Sequence, residues 1–339
     1  MRRLSPIIFF FTASFVLVIA LLLGLMSGAR DIPPSALLGL FNLNNMDMDQ
    51  RILHAIRLPR VLLAMMAGAC LASCGAVMQG LFRNPLADPS LIGVSSGASV
   101  GASFVIFFGG TSLMGGAIGL PVIAIGAFVG GLVATSIVYR LATSMTGTSV
   151  STMLLAGIAI TALAGAITSL FSFFADNEML RRISLWQMGN LDGADWSRVT
   201  ILSLVVVPLM LVLPRNGQAL NAMLLGESEA RHLGVAVESL KRRLILLTAL
   251  GVGVAVSVSG IVAFVGLIVP HLVRLLIGPD HRYLIPGSAI MGAVLLLLAD
   301  TVARTLMSPA ELPTGVITAL LGAPFFVGLL LQQRQKMVG

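Results

Sequence analysis

The sequence predicts an all-α, polytopic membrane protein built as one bundle of about ten transmembrane helices. Of its 339 residues, 57% are hydrophobic and only 10% are charged, and the mean hydropathy is +0.99. Apolar runs of roughly 20 residues, the length of a helix that crosses a hydrocarbon core, follow one another along the chain. Helices satisfy their own backbone hydrogen bonds in lipid, which favours helices over strands for these runs. No low-complexity linker interrupts the sequence, so residues 1–339 are predicted to form a single transmembrane domain.

The predicted spans account for most of the chain. They cover residues 7–28, 58–80, 91–109, 117–140, 150–174, 197–213, 240–258, 261–277, 283–306 and 313–332. The first run follows Arg2 and Arg3, and a cleaved signal peptide is the alternative interpretation. Its apolar core is long, however, and Ser27-Gly28-Ala29 makes only a passable cleavage site, so we expect a membrane anchor.

Small residues recur every four positions in the second and third spans. The two stripes are Gly68, Ala72, Ala76 and Gly80, and Gly93, Gly97 and Gly101. Such faces let helices approach closely in lipid, so we expect tight helix packing; a face that lines a passage is the alternative. The cysteines, Cys70 and Cys74, are expected to be small packing residues, because a disulfide within one helical turn has poor geometry.

One long polar segment interrupts the apolar pattern. It runs from Pro214 to Arg243 and is called the charged strip below. It contains eight charged residues: Arg215, Glu227, Glu229, Arg231, Glu238, Lys241, Arg242 and Arg243. Such a segment must lie outside the membrane, and we expect a soluble protein to dock there. The three basic residues at its end are interpreted as the positive anchor of the next span.

The distribution of basic residues predicts the orientation. Ten spans place both termini on the side of the charged strip, together with 13 of the 21 Lys+Arg. The others are on the opposite side: Arg30, Arg51, Arg57, Arg60, Arg181, Arg182, Arg198 and Arg304. The positive-inside rule therefore puts the termini and the strip in the cytoplasm. The net charge of +7 suits an anionic membrane leaflet and gives no indication of nucleic acid binding.

Catalytic motifs are missing from the sequence. There is no P-loop, so the chain is not expected to hydrolyse ATP in the usual way, and no zinc-protease, serine-hydrolase or C-x-x-C motif occurs. Asp300 and Arg304 lie one helical turn apart within a span and are predicted to pair. The scarcity of other ionisable residues in the spans favours a source of energy outside the bundle, which fits a soluble partner at the charged strip. An ion-gradient transporter and an intramembrane enzyme are the alternatives.

Several long motifs occur in order along nearly the whole chain. They are Arg57–Arg60, Gly75–Pro89, Leu224–Glu227, Ala230–Gly234, Ser259–Gly260, Phe264–His271, Arg274, Ala299–Thr301, Arg304, Glu311–Pro313 and Gly322–Pro324. On these motifs the chain resembles the permease subunits of bacterial ABC importers for iron–siderophores, haem and vitamin B12. The resemblance implies an inner-membrane homodimer that works by alternating access, two cytoplasmic ATP-binding cassette subunits and a periplasmic substrate-binding protein. It implies a transport subunit without catalysis or a cofactor of its own, with ATP and Mg used by the partner.

The resemblance also assigns roles to residues. Short coupling helices that contact the ATPase, within 214–240, are expected to use Leu224, Leu225, Gly226, Glu227, Glu229, Arg231, His232, Leu233 and Gly234. The outer arginines Arg57, Arg60 and Arg304 match positions that receive acidic side chains of the binding protein, a task suited to the planar guanidinium. Residues that close the path on the cytoplasmic side are expected to be Asn84, Leu86, Val150 and Ser151.

The segment 176–191 bears on the substrate. Leu180-Arg181, Trp186 and Gly189 resemble a Leu-Arg-x-x-x-x-Trp-x-x-Gly pattern of haem permeases, and we expect a short helix at the mouth of the vestibule. Arg181 or Arg182 would attract propionates and Trp186 would offer an aromatic face. The alternative is an interfacial tryptophan with anchoring arginines. Haem is the first expectation for the substrate, followed by ferric siderophores and then vitamin B12.

Overall fold

The structure, a computed structural model, describes residues 4–28, 30, 32–38, 47–114, 119–145, 147–308 and 310–338. Its helices are α1 Pro6–Met26, α2 Pro34–Leu38, α3 Met48–Ile52, α4 Leu58–Leu81, α5 Val94–Met114, α6 Gly119–Ala142, α7 Val150–Phe174, α8 Asn177–Gln187, α9 Trp196–Val212, α10 Gly217–Leu224, α11 Glu227–His232, α12 Val237–Ser259, α13 Val265–Ile277, α14 His281–Thr305 and α15 Thr314–Val338. A π-helical turn spans Leu53–Arg57, and 3-10 turns span Pro89–Ile92 and Pro214–Asn216. The strands β1 Thr143–Ser144 and β2 Gly147–Thr148 form an antiparallel hairpin.

The all-α membrane architecture is confirmed. The predicted spans correspond to α1, α4, α5, α6, α7, α9, α12, α13, α14 and α15. Within the described ranges, seven helices are long and apolar enough to cross a membrane, and the apolar parts of α5, α13 and α15 are shorter. Arg2, Arg3 and the predicted start of the fourth span at 117 lie outside the described residues.

Several span boundaries differ from the prediction by a few residues, and two of the differences have a clear physical cause. The helix α12 begins at Val237 rather than at 240, because its first turn already buries Val237 and Leu240 against the bundle. The helix α13 begins only at Val265, because Gly260 (φ 66°) and Phe264 (φ 67°) adopt left-handed backbone conformations that interrupt the helical path. Because α12 begins at Val237, the charged end of the strip is helical.

The centre of the bundle is formed by α4 and α14, whose backbones come into direct contact. A Cβ atom on Gly68 would lie 2.2 Å from the carbonyl oxygen of Gly292. The pair α5 and α6 meets in the same way, since a Cβ atom on Gly101 would lie 2.0 Å from the carbonyl oxygen of Gly126. The small-residue stripes thus serve close helix packing, as predicted. Both cysteines are buried and free.

Candidate functional site

The charged strip forms a surface with exposed leucines beside charges. Leu224, Leu225 and Leu233 have 43%, 68% and 64% of their area exposed, whereas Ala230 is completely buried and fixes α11 to the bundle. Gly226 (φ 126°) precedes α11 and Gly234 (φ 84°) follows it. Both glycines adopt conformations that other residues rarely take, so the chain turns sharply at each end of this short helix. Glu229, Arg231 and His232 are exposed along it. We call Leu224–Gly234 the coupling surface.

The coupling surface is attached to the bundle by Asn221 of α10. The Asn221 side chain donates a hydrogen bond of 2.6 Å to Asp280, and its oxygen accepts one of 2.9 Å from the His281 backbone N–H at the start of α14. Hydrogen bonds from Arg282, assisted by Asn221, lower the pKa of the Asp280 carboxyl from 3.8 to about 2, against a smaller opposing effect of burial. Asp280 also caps α14.

The interpretation of Lys241 as a membrane anchor is wrong. Its side chain is only 3% exposed and forms ion pairs with Glu227 at 2.8 Å and Glu238 at 3.2 Å. Arg242 and Arg243 are exposed beside it. Glu227, expected to face an ATPase, therefore directs its carboxylate toward the protein interior.

The four predicted gate residues lie in two turns next to helix ends. Asn84 accepts a hydrogen bond from the Leu86 backbone N–H at 2.9 Å, which stabilises the turn after α4. Val150 and Ser151 begin α7, whose first turn is capped by the Ser149 hydroxyl. Ser151 is exposed and the other three are half-buried. The geometry of one chain does not test their role, which stays a prediction.

On the opposite face, the three outer arginines belong to a buried cluster. Arg60 donates to Asp300 at 3.0 and 3.1 Å and to Glu311 at 2.7 Å, and the Arg304 Nε atom lies 3.1 Å from Asp300. Arg57 donates to the backbone oxygens of Leu25 and Met26, at 2.8 and 2.6 Å, after the end of α1. The predicted Asp300–Arg304 pair is confirmed.

This burial changes what docking at the arginines requires. Arg57, Arg60 and Arg304 are each only 5% exposed and already have partners within the chain. The exposed member of the cluster is Glu311, whose side chain is 39% exposed. The expected docking role stays a prediction, and a partner's carboxylate would have to displace an internal contact to reach Arg60.

The segment 176–191 contains the predicted short helix, which is α8. Arg181 is exposed, Arg182 pairs with Glu178 at 2.8 Å, and Trp186 is half-buried. Arg182 and Trp186 line a cavity of about 150 Å³ together with Arg198. Pockets that enclose drug-sized ligands typically measure about 300–1,000 Å³. A single chain therefore does not enclose a porphyrin at this position.

The sequence motifs and this arrangement are accompanied by a match over most of the chain. A model of the FecCD transport family matches residues 16–332. The chain belongs to the FecCD transport family. The family is one of transport proteins, so this FecCD chain is a transport subunit rather than an intramembrane enzyme.

Two curated relatives and one solved structure are similar to this FecCD chain. The hemin transport system permease protein HmuU of Yersinia pestis is 45% identical over 327 residues, 96% of each chain. The cobalamin import system permease protein BtuC of Halobacterium salinarum is 46% identical over 281 residues, 83% of this chain and 73% of the relative. An inward-facing metal-chelate type ABC transporter is 33% identical with a TM-score of 0.85, covering 97% of this chain and 100% of its own.

Sequence reasoning missed three structural features of this FecCD chain. It did not find Glu311 as a partner of Arg60, the burial of Lys241 or the place of Arg198 beside Trp186. A signal for Lys241 does exist, because it follows Val237 and Leu240 with the spacing of one helical face. No comparable signal exists for the other two, since loops and distant helices bring them together.

Proposed function

We propose that the chain is the permease subunit of an ATP-driven importer that carries haem from a periplasmic binding protein to the cytoplasm. Two copies would form the translocation path at their interface and change its access between the two sides of the membrane. Two cytoplasmic ATP-binding cassette subunits would hydrolyse ATP with Mg, since the sequence has no P-loop of its own. The permease would bind no cofactor and no nucleic acid.

The observation that carries this proposal is the coupling surface. A segment that only links two spans gains nothing from exposing Leu225 and Leu233 beside Glu229 and Arg231. Protein interfaces combine apolar anchors with a charged rim in this way. The surface lies on the side that the positive-inside rule assigns to the cytoplasm, together with both termini, where ATP is available.

The binding protein would dock on the opposite face. Its acidic side chains would compete with Glu311 for Arg60, while Arg57 and Arg304 would add positive charge around the site. Arginine suits this exchange because its guanidinium can pair with two carboxylates in one plane.

Haem is supported as the substrate by the relative named for hemin, which matches 96% of the chain at 45% identity. Arg181 and Arg182 would attract the propionates and Trp186 would contact the porphyrin, in a vestibule completed by the second copy. A relative named for cobalamin has similar identity over a shorter range, so cobalamin is the second candidate, with ferric siderophores after it.

ATP hydrolysis by the reconstituted transporter tests both parts of the proposal. The permease is assembled in liposomes with its ATPase and binding protein, and haem, a ferric siderophore and cobalamin are added in turn. We expect haem to give the greatest stimulation. Stimulation by another chelate alone would replace haem with that substrate. Uptake that continues with a catalytically inactive ATPase would contradict the importer and favour an ion-coupled transporter.

A further inference from the structure

An ionic network around the buried Lys241 joins the coupling surface to the hairpin that precedes α7. Lys241, on α12, donates from its Nζ atom to Glu227 of α11 at 2.8 Å, to Glu238 at 3.2 Å and to the backbone oxygen of Thr148 at 3.0 Å. Its three ammonium protons therefore have three acceptors, which come from three separate elements. An ammonium group at 3% exposure is stable only with such compensation.

The strand β2 is held through both backbone groups of one residue, Thr148. The Thr148 backbone N–H donates to the Glu238 carboxylate at 2.9 Å, while the Thr148 oxygen accepts from Lys241. Gly147, with φ 118°, makes room for this contact, because a Cβ atom there would lie 2.8 Å from a Glu238 oxygen. Side chains of α12 thus fix the position of Thr148 through charge-assisted hydrogen bonds.

Thr148 is followed closely by the first turn of α7. Ser149 donates its backbone N–H to the Ala142 oxygen at 2.9 Å and caps α7 with its hydroxyl, and the helix begins at Val150. Thr143 and Thr148 also share a hydroxyl contact of 3.2 Å across the hairpin. Because these contacts hold Thr148 next to the helix, a displacement of Thr148 would also displace the start of α7.

We propose that Lys241 is a positioning residue that transmits movement of the coupling surface to α7. The role rests on the proposed function, in which an ATPase moves the coupling surface. Within the network, Glu227 connects Lys241 to α11, and Thr148 connects Lys241 to α7. Arg231 of α11 also lies 4.0 Å from Glu238, but it is exposed and this contact is longer, so the buried ammonium group of Lys241 is the closer ionic link from α11 toward the predicted gate residues Val150 and Ser151.

Two variants distinguish the loss of all the Lys241 contacts from the loss of the contact with α11 alone. Lys241→Met removes all three Lys241 contacts and leaves the hydrogen bond from the Thr148 N–H to Glu238, whereas Glu227→Gln weakens only the contact with α11. Arg242→Gln removes an exposed positive charge at the adjacent position and is the matched control. The transporter is reconstituted with its ATPase and binding protein, using the chelate that stimulates ATP hydrolysis.

The first measurement is substrate transported per ATP hydrolysed. We expect a fall of roughly tenfold in Lys241→Met and Glu227→Gln, the scale of one lost charged hydrogen bond, with ATPase binding retained. Arg242→Gln should match the wild type. Lys241→Arg, which keeps the charge and several donors, should recover part of the loss.

The second measurement is hydrogen exchange of residues 143–149 with and without the bound ATPase. We expect ATPase binding to change exchange in the wild type and not in Glu227→Gln. Wild-type transport per ATP in Lys241→Met, or an unchanged response of the hairpin in Glu227→Gln, would overturn the connection. So would loss of ATPase binding in both variants, since the network would then only shape the docking surface. An ATPase that fails to bind the wild-type chain would instead contradict the proposed function.

Discussion

Arg60 and Asp300 form a two-pronged ion pair at 3.0 and 3.1 Å, in which the carboxylate is completely buried. The two residues are 240 positions apart in sequence and join α4 to α14. Asp300 also lies 3.1 Å from Arg304 and accepts a hydrogen bond from Thr314 at 3.2 Å. One carboxylate therefore compensates two buried guanidinium groups.

Replacing Asp300 with Asn should destabilise the protein strongly. The change leaves Arg60 and Arg304 without their buried counterion, and breaking a buried pair in this way costs about 3–5 kcal/mol. The free energy of unfolding in detergent measures the effect. Glu311→Gln is the control, because its partly exposed contact should contribute less than about 1 kcal/mol. Equal losses in both variants would show that the burial of Asp300 has no energetic importance.

Glu311→Gln should strengthen docking of the binding protein. Removing the charge weakens the internal competitor for Arg60, so we expect the Kd for the binding protein to fall severalfold and Arg60→Ala to raise it by at least about tenfold. Surface plasmon resonance with the permease in nanodiscs measures both. A weaker complex with Glu311→Gln would mean that Glu311 holds Arg60 in position for docking rather than competing with the partner.

The double variant Leu225→Ser/Leu233→Ser should lose binding to the ATPase but remain folded. Both leucines are about two-thirds exposed, so stability should change by less than about 0.5 kcal/mol, while loss of two interface anchors should weaken ATPase binding by at least about tenfold. Co-purification and thermal unfolding give the two readouts. Leu306→Ser, at a leucine equally exposed on the opposite face, should retain the ATPase. Retention by the double variant would exclude this surface as the docking site.

Gly68→Ala should reduce stability, whereas Gly165→Ala should not. The new methyl at position 68 would lie 2.2 Å from the Gly292 carbonyl oxygen, and overpacking of this kind costs about 1–3 kcal/mol. Apart from the neighbouring backbone of α7, no described atom lies within 4 Å of a Cβ placed at Gly165, and alanine is the better helix former. Thermal unfolding of the two variants compares them directly. Similar unfolding temperatures would contradict the close contact of α4 and α14.

Asp280 should contribute to stability above its unfolded pKa and lose this contribution in acid. Its folded pKa is about 2 against 3.8 when unperturbed, so the contribution is complete above about pH 4 and is lost as pH falls toward 2. Asp280→Asn retains a capping side chain but cannot titrate. The thermal midpoint should fall more steeply between these pH values in the wild type than in the variant. Parallel curves would contradict the role of the carboxylate.

The sequence predicted the fold because membrane spans depend on local composition. Run length alone located the ten helices, and the four-residue spacing of Asp300 and Arg304 predicted their pair. Arg60, the second arginine that contacts Asp300, could not be predicted from the sequence, because the contact between α4 and α14 is a property of the folded bundle. Glu311 reaches the same cluster from a loop, whose conformation has no periodic signal.

Lys241 shows how local reasoning can give the wrong answer. Three consecutive basic residues at the start of a span usually indicate an interfacial anchor. In a helix, however, consecutive side chains point about 100° apart, so only Lys241 shares the buried face of Leu240 and Leu244, while Arg242 and Arg243 remain exposed. Helical phase would have separated the three residues, but only the folded chain shows that two glutamates compensate the buried one.

The contacts between α4 and α14 indicate which helices are held together. Arg60, Asp300 and Arg304 fasten α1, α4 and α14 at one end, and Gly68 meets Gly292 farther along. Sliding among these helices would break several charged hydrogen bonds and open a backbone contact, so we expect them to move as one unit. A change of access would then require movement of helices outside this unit, and we expect α7 to be one of them.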